Sequence, residues 1–93
     1  MNKKINIALV GLGFGGAFAK IYKYHPNVQS IGIYDINQEL MKNVSDYAGI
    51  EKMYGSFDEI LNEKDLDAVH LVTPIPQHEE QTAQVLESGK HCA

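Results

Sequence analysis

The sequence predicts an α/β fold in which helices cover both faces of a parallel sheet. Two observations predict it: short apolar runs alternate with helical stretches in the order βαβαβαβα, and a cluster of glycines follows the first run directly. Strands that alternate with helices pair in parallel through right-handed crossovers. With 93 residues the chain can form one small domain, so we assign residues 1–93 to it.

The strand signal is a compact group of β-branched and other apolar residues that is bounded by turn residues. The predicted strands are residues 4–10, 28–34, 52–54 and 66–72, with residues 91–93 as the start of a fifth. The expected sheet therefore has about four strands and the beginning of another.

The helices are predicted between these runs, at residues 14–24, 38–47, 57–62 and 77–87. Asn37 and Ser56 are good N-cap residues, and Glu59 stands three positions after Ser56 in capping-box spacing. In the last helix we expect Ala83 and Leu86 to share one apolar face.

Composition excludes several classes of function. The formal net charge is −4 and the eight Lys and Arg residues are scattered, so we expect no nucleic-acid partner. No run approaches the roughly 18 apolar residues of a membrane span, and the first apolar run lacks the features of a signal peptide. Cys92 is the single cysteine, which excludes an internal disulfide, and a reducing cytoplasm is the expected location.

Three glycines match the pattern G-x-G-x-x-G between the first predicted strand and the first predicted helix: Gly11, Gly13 and Gly16. Gly11 allows a tight turn, Gly13 lets backbone approach a pyrophosphate, and Gly16 lets the helix pack closely on the strand. The helix N-terminus offers unpaired N–H donors and a partial positive charge, which suit a diphosphate. We therefore expect a Rossmann-like dinucleotide site, whereas a P-loop NTPase would need a G-x-x-x-x-G-K-[ST] pattern, which this sequence does not contain.

Asp35 ends the second predicted strand, 19 positions after Gly16, which is close to the spacing of about 20 in this fold. Its carboxylate can accept hydrogen bonds from the adenosine ribose hydroxyls. Its charge repels a 2′-phosphate, and Ile36 and Asn37 supply no arginine to receive one. The expected cofactor is therefore NAD(H) rather than NADP(H).

The segment Thr73-Pro74-Ile75-Pro76 is predicted to be a turn that lies beside the glycine loop, because this fold places strand four next to strand one. Thr73, Pro74 and His78 are therefore candidates to line the nicotinamide-ribose side of the cofactor. The alternative for Thr73 and the prolines is a plain structural turn, and for His78 a water-facing position in the first turn of the helix.

No catalytic constellation emerges from the remaining residues. The sequence contains no HExxH, no CxxC and no nucleophile elbow, so we assign no catalytic residue and no metal ligand. His70, inside the fourth predicted strand, is expected to be structural, and His25, before a proline, to lie on the surface. The acids Glu39, Glu79 and Glu80 are expected on solvated faces.

Several segments resemble the N-terminal domain of the Gfo/Idh/MocA oxidoreductases, the relatives of glucose–fructose oxidoreductase and inositol dehydrogenase. They are VGLGFGGAFAKIY, IGIYDIN and the long stretch that runs from YGSFDEIL to ESGKHC. The most specific pieces are DLDAV leading to Thr73-Pro74, then His78, and the ESGKH run at residues 87–91. The resemblance covers essentially the whole chain.

This resemblance implies a Rossmann domain followed by a larger α/β domain, which holds the substrate and often the oligomer interface, so a homo-oligomer is expected. The chemistry that it implies is reversible hydride transfer between a nicotinamide and a sugar, cyclitol or related polyol.

The resemblance also carries cofactor contacts over to positions of this chain. The family positions that contact the diphosphate match Gly11, Gly13, Phe14 and Gly16. The position that contacts the adenosine ribose matches Asp35, and those along the nicotinamide half match Thr73, Pro74 and His78. Ile75 departs from the family, which often has asparagine there, so the resemblance carries no polar contact over to this position.

In the family, Gly-Lys-His opens a strand that leads into a Glu-Lys-Pro motif whose lysine assists catalysis, whereas this sequence stops at Ala93. We therefore expect a fragment that lacks the catalytic lysine, a later catalytic histidine and the substrate domain, and that is inactive by itself. The fourth strand is then expected to be an open edge with Val69, Leu71 and Val72. Open edges recruit other strands, so we expect marginal stability or self-association.

Two other classes of function stay open. One is a non-enzymatic NAD(P)-binding regulator or scaffold, because some members of the family have kept the cradle and lost the chemistry. The other is an unrelated Rossmann protein that binds S-adenosylmethionine or a nucleotide sugar, although the Thr-Pro and Gly-Lys-His segments do not belong to that pattern.

Overall fold

A computed structural model describes residues 4–93 and confirms the predicted fold class. Its nine elements form a five-stranded parallel sheet in the order β3-β2-β1-β4-β5 with helices on both faces. The strands are β1 (Ile5–Val10), β2 (Val28–Tyr34), β3 (Lys52–Met53), β4 (Ala68–Leu71) and β5 (His91–Cys92). The helices are α1 (Leu12–Tyr24), α2 (Gln38–Ala48), α3 (Phe57–Asn62) and α4 (Ile75–Glu87).

Strand β1 lies at the centre of the sheet, between β2 and β4, as the expected strand order requires. Its Leu9 pairs with Ile33 of β2 on one side and with His70 of β4 on the other. The last four residues of β1 are buried, because helices cover both of its faces. A strand covered in this way is a nearly continuous apolar run, which is the pattern that residues 5–10 show.

The two faces of the sheet carry separate hydrophobic cores. Helices α1 and α2 cover one face, and the largest fully buried side chains there are Leu9, Leu12, Ile33 and Ile50. Helices α3 and α4 cover the other face, where Val10, Ile60, Val69 and Val85 are the corresponding residues. Alternate residues of each strand point to opposite faces, so a single strand such as β1 contributes to both cores.

Two helix caps form as the sequence predicts. The side chain of Asn37 accepts a hydrogen bond from the Leu40 N–H at 3.1 Å, and Ser56 Oγ accepts one from the Glu59 N–H at 3.2 Å. The carboxylate of Glu59 accepts from the N–H of Gly55 rather than from that of Ser56, at 2.7 Å. The reciprocal half of the capping box is therefore displaced by one residue.

Two helices begin earlier than predicted. Helix α1 begins at Leu12, inside the glycine segment, where no apolar periodicity marks a start. Helix α4 begins at Ile75, so the predicted turn at residues 73–76 is wrong in its second half. Pro76 lies in the first turn of α4, and proline is tolerated there because the first N–H groups of a helix have no partner within the helix.

The face of α4 that carries Ala83 and Leu86 is not the face that packs against the sheet. Ala83 is exposed and Leu86 is 59% exposed, whereas Val85 is completely buried against β4 and β5. The helix turns Val85 inward together with the half-buried Gln81 and Thr82, so apolar spacing alone does not identify the side that faces the sheet.

Strand β4 is not an edge of the sheet, contrary to the expectation. Strand β5 pairs with it through Ala68↔His91 and Val69↔Cys92, and the Leu71 N–H donates to the Ala93 oxygen at 3.0 Å. Within residues 4–93, no helix is long and apolar enough to cross a membrane.

Candidate functional site

A cleft of about 490 Å³ lies where β1, β2 and β4 end. The carboxyl ends of parallel strands, near the point where the strand order reverses, are the usual position of a ligand site in such sheets. The side chains and backbone that line the cleft come from three loops and the helices that follow them. They are Val10, Gly11, Gly13, Tyr34, Asp35, Ile36, Asn37, Leu40, Val72, Thr73, Pro74 and Gln77.

Gly11 makes the turn from β1 into α1, and only glycine fits there. Its φ is 92°, which side chains other than glycine's rarely adopt, and a Cβ at this position would lie 2.5 Å from the Val72 oxygen. The backbone of Gly11 therefore lies directly against the backbone of Val72 and the methyl group of Thr73, in the loop after β4. This close contact forms the floor of the cleft.

Gly13 leaves open space at the start of α1. It is exposed, and no atom from the described part of the chain lies within 4 Å of the place that its Cβ would occupy, apart from its own helix backbone and chain neighbours. The N-cap residue of α1, Gly11, makes no side-chain cap hydrogen bond, and the first turn of the helix contains no acidic residue. Among the described side chains, none accepts a hydrogen bond from the Gly13 N–H, and an anion can reach this group through the open space.

Close packing of α1 against the sheet depends on Gly15 and not on Gly16. A Cβ on Gly15 would lie 3.1 Å from the side chain of Val72, at the end of β4. A Cβ on Gly16 would instead approach Val44 of α2 at 3.3 Å, so this glycine permits helix–helix contact. The role that the sequence assigned to Gly16 is thus wrong, because the motif gives the spacing of the glycines but not the direction of each one.

Asp35 lies at the side of the cleft, at the end of β2. Its Oδ2 accepts a hydrogen bond from the Leu12 N–H at 2.7 Å, and its Oδ1 accepts one from the Asn37 N–H at 2.8 Å. Each carboxylate oxygen can accept a second hydrogen bond, so the group still offers acceptor sites to the cleft. The carboxylate is fixed beside the first turn of α1.

The loop after β4 closes the cleft on the opposite side. Thr73 Oγ1 donates to Gln81 Oε1 of α4 at 2.6 Å, which ties the loop to that helix. Because its proton goes to Gln81, the Thr73 hydroxyl presents acceptor lone pairs to other groups. Pro74 precedes α4 and Gln77 lies in its first turn, and both contribute to the wall.

His78 is half-buried in the first turns of α4 and is not among the described residues that line the cleft. Its Nδ1 lies 3.4 Å from Thr82 Oγ1, and its backbone N–H donates to the Pro74 oxygen. Gly16 also lies away from the cleft, and the side chain of Phe14 is outside the described part of the chain. The structure thus brings together Gly11, Gly13, Asp35, Thr73 and Pro74.

Sequence reasoning missed several residues of the cleft wall. Ile36 is 89% exposed at its rim, with Tyr34 and Leu40 nearby. These residues flank Asp35 in sequence, so their position next to a strand end could have identified them. The contact between Gln81 and Thr73 has no comparable signal, because it depends on the direction in which α4 leaves the loop.

Titratable groups with shifted pKa values lie outside the cleft. Burial lowers the pKa of His70, whose Nδ1 lies 2.7 Å from the Tyr22 hydroxyl. Burial alone would raise the pKa of Glu63, but hydrogen bonds from Lys52 and Tyr54 outweigh it, so the pKa lies below its usual value. Glu63 joins β3 to the end of α3, and this role is structural.

Across residues 4–93, no three His, Cys, Asp or Glu side chains form a group that could hold a metal ion. The polar groups that the cleft offers are backbone N–H groups, which donate, and the Asp35 carboxylate and Thr73 hydroxyl, which accept. Such a set can bind the phosphates and hydroxyls of a nucleotide, since N–H groups receive anions and a carboxylate receives hydroxyl protons. The open space at Gly13 allows a large group to approach.

Residues 5–93 match the sequence model of a family described as an oxidoreductase family with an NAD-binding Rossmann fold, GFO_IDH_MocA. A curated relative is an uncharacterised oxidoreductase of Synechocystis sp. It is 28% identical over 88 residues, which cover 94% of this chain and 24% of the relative.

Solved structures with the same fold include dehydrogenases. A scyllo-inositol dehydrogenase from Lactobacillus casei, with bound NAD(H) and scyllo-inositol, is 27% identical, with a TM-score of 0.83 over 97% of this chain and 27% of its own. A UDP-N-acetylglucosamine 3-dehydrogenase from Acidithiobacillus ferrooxidans is 27% identical, with a TM-score of 0.80 over 96% of this chain and 28% of its own. An NAD-binding protein from Listeria innocua is 31% identical, with a TM-score of 0.84 over 97% of this chain and 26% of its own.

The chain therefore spans about a quarter of the length of the relatives that it matches. The remaining three quarters of each relative have no counterpart in the region of similarity.

Proposed function

Because the chain belongs to the Gfo/Idh/MocA oxidoreductase family as an NAD-binding Rossmann domain, we propose that the cleft holds NAD(H) for hydride transfer to or from a sugar, cyclitol or related polyol. One observation carries the proposal. The carboxylate of Asp35 stands beside an α1 N-terminus whose Gly13 leaves room for a phosphate group.

The glycine segment binds the diphosphate in this proposal. The N–H groups of Gly13 and Phe14 point out of the first turn of α1, where the helix dipole also favours an anion. Gly11 holds the loop in the required turn. Gly16 acts indirectly, because it lets α2 approach α1 beneath the loop.

Asp35 selects NAD(H) over NADP(H). Its free acceptor positions receive the adenosine ribose hydroxyls, and its negative charge opposes a 2′-phosphate on the same ribose. Neither Ile36 nor Asn37 is a cation that could compensate that phosphate.

The loop after β4 contacts the nicotinamide half of the cofactor. Thr73 offers acceptor lone pairs and Pro74 an apolar surface, and both line the cleft. His78 lies in the first turns of α4, outside the cleft wall, and we assign it to the side of the nicotinamide ribose or the substrate.

Sugar or polyol chemistry is proposed for the whole protein, supported by the dehydrogenases among its structural neighbours. The bound nicotinamide supplies the ring that accepts or gives the hydride. The described residues of the cleft hold and orient a cofactor, but they include no arrangement for proton transfer. We therefore propose that these 93 residues bind NAD(H) without turnover. We further propose that the longer enzyme, a homo-oligomer, carries the substrate-binding part elsewhere.

Binding of NADH and NADPH to the chain, followed by calorimetry, tests the proposal. We expect NADH to bind more tightly than NADPH by about tenfold or more, because a carboxylate facing a phosphate costs on the order of 1 kcal/mol or more. Asp35→Ala should weaken NADH binding by about tenfold and reduce the preference, since hydrogen bonds to a charged group contribute roughly 1.5–3 kcal/mol.

Asp46→Ala is the matched control, because Asp46 is an exposed aspartate of α2 that is not part of the cleft wall. It should leave both affinities unchanged. Equal binding of NADH by the wild-type chain and by Asp35→Ala would contradict the proposed role of Asp35, and no binding of either nucleotide to the folded chain would contradict the proposed site.

A further inference from the structure

Helix α1 begins without a cap of its own. The first N–H groups of a helix need acceptors from outside the helix, and a Ser, Thr, Asp or Asn side chain at the N-cap usually supplies one. The N-cap of α1 is Gly11, which has no side chain. Helices α2 and α3 begin in the usual way, with Asn37 and Ser56.

No capping side chain can replace Gly11. Its backbone has φ 92° and ψ 99°, and any Cβ would lie 2.5 Å from the Val72 oxygen and 2.7 Å from the Val72 carbonyl carbon. Both neighbours are backbone atoms of the adjoining loop, so they cannot move aside as a flexible side chain can. The turn that creates the cleft thus excludes a local cap.

An acceptor reaches α1 from the neighbouring strand instead. Asp35 Oδ2 accepts the Leu12 N–H at 2.7 Å, although the two residues are 23 positions apart in sequence. The other oxygen of the same carboxylate accepts the Asn37 N–H at 2.8 Å. Asn37 in turn caps α2 through the Leu40 N–H. The carboxylate therefore bridges the beginnings of two helices.

We propose that Asp35 is the N-terminal cap of α1, supplied from the loop after β2, and that it positions the first turn of this helix whether or not a ligand is present. The inference goes beyond the proposed function, because it concerns the chain without cofactor. It divides the N-terminus of α1 into two parts: the Leu12 N–H donates to Asp35, and no described side chain accepts from the Gly13 N–H.

This division has a consequence for the cofactor-selecting residue. A substitution of Asp35 chosen to admit a 2′-phosphate also removes the cap and loosens the turn that is to receive the diphosphate. Cofactor preference and order at the start of α1 are thus coupled through one side chain.

Amide hydrogen exchange of the ¹⁵N-labelled chain, measured by NMR without any nucleotide, tests the inference directly. In the wild-type chain we expect the Leu12 amide to exchange more slowly than the Gly13 amide. In Asp35→Ala, the ratio of the Leu12 rate to the Gly13 rate should rise by about tenfold, because the lost hydrogen bond involves a charged acceptor. A general loss of stability would move both rates together and leave the ratio unchanged.

Asp35→Asn is the milder variant, and it tests the capping role of Asp35 if Asp35→Ala does not fold. Its amide oxygen can accept only one of the two N–H groups, so the ratio should lie between the wild-type and alanine values. Asp46→Asn is the control and should leave the ratio as it is. The proposal is overturned if Leu12 exchanges as fast as Gly13 in the wild-type chain, or if the Asp35 variants that fold keep the wild-type ratio. Neither result bears on NADH affinity, so this failure is distinct from a failure of the cofactor proposal.

Discussion

His70 sits inside β4 between two aromatic residues of α1. Its ring centroid lies 4.9 Å from that of Phe18 and 5.7 Å from that of Tyr22, whose hydroxyl bonds to Nδ1. The structural role expected for it agrees with these contacts. Burial disfavours the charged imidazolium, so the pKa of His70 lies below its ordinary value of 6.5.

The sign of the resulting pH dependence follows from this shift. As pH falls below 6.5, the unfolded chain takes up a proton at His70 before the folded chain does. The stability contributed by the neutral ring is therefore complete above pH 6.5 and is lost as pH falls through the lower folded pKa.

His70→Asn keeps an acceptor oxygen for the Tyr22 hydroxyl and cannot titrate. We expect urea unfolding between pH 7 and 5 to show a smaller loss of stability for His70→Asn than for the wild-type chain, and an equal loss would contradict this account.

At the scale of single elements, the burial pattern of α4 predicts which of its residues contribute to the free energy of unfolding. Val85 is fully buried between β4 and β5, while Leu86, the next residue, is 59% exposed. Deletion of buried methyl groups removes hydrophobic transfer energy and leaves a cavity, whereas deletion of exposed ones does neither.

The two neighbours therefore form a matched pair. Val85→Ala should lower the free energy of unfolding by about 2 kcal/mol, from two lost methyl groups and the cavity they leave. Leu86→Ala should change it by less than about 0.5 kcal/mol, as surface substitutions do. Urea titration of both variants checks the assignment, and a larger loss for Leu86→Ala would restore the face that the sequence predicts.

The elements differ in how far sequence could predict them. Strands β1 and β2 are marked by apolar runs that end at glycine or at an acid, and α2 and α3 by their capping residues. The start of α1 is not marked, because glycines carry no periodicity. The inner face of α4 depends on where the sheet lies, which no local pattern contains.

The same division holds for the candidate site. Asp35 and Thr73 were predictable because both directly follow strands, and strand ends meet at one edge of a parallel sheet. The contacts of Gly15 and Gly16 were not predictable from the motif, since they depend on whether Val72 or Val44 faces each glycine. Sequence spacing thus predicts which loops border the cleft, but it does not predict the direction in which each residue of those loops points.

At the scale of the whole molecule, the cleft joins three segments that are distant in sequence, the ends of β1, β2 and β4. A ligand that binds all three stabilises the folded state by mass action, because the unfolded chain has no such site. NADH at about 100 times its dissociation constant should add about 2.7 kcal/mol, which for a domain of this size corresponds to a rise of about 10–20 °C in Tm.

Gly13→Ala separates binding from folding in this experiment. Its methyl group enters open space, and alanine favours the helix over glycine by up to about 1 kcal/mol, so the variant should melt at or above the wild-type Tm without ligand. The added methyl occupies the approach to the N–H groups of α1, so the rise with NADH should shrink. A scan of Tm against NADH concentration compares the two, and an undiminished rise in Gly13→Ala would place the diphosphate elsewhere.

The central position of β1 also has a consequence for the order in which the chain folds. β1 precedes both of its partners in the chain, and β4 becomes available to it only about 60 residues later; Asn6 donates its N–H to Asp67, 61 positions away. Contacts over such separations require the closure of a long loop before they add stability, which slows folding. We expect β1 to pair first with β2, while α1 packs against both strands. The other edge of β1 pairs with β4 later. The turn at Gly11 therefore reaches its final conformation late in folding. Gly11 packs against the Val72 carbonyl, which takes its place only when β4 pairs with β1.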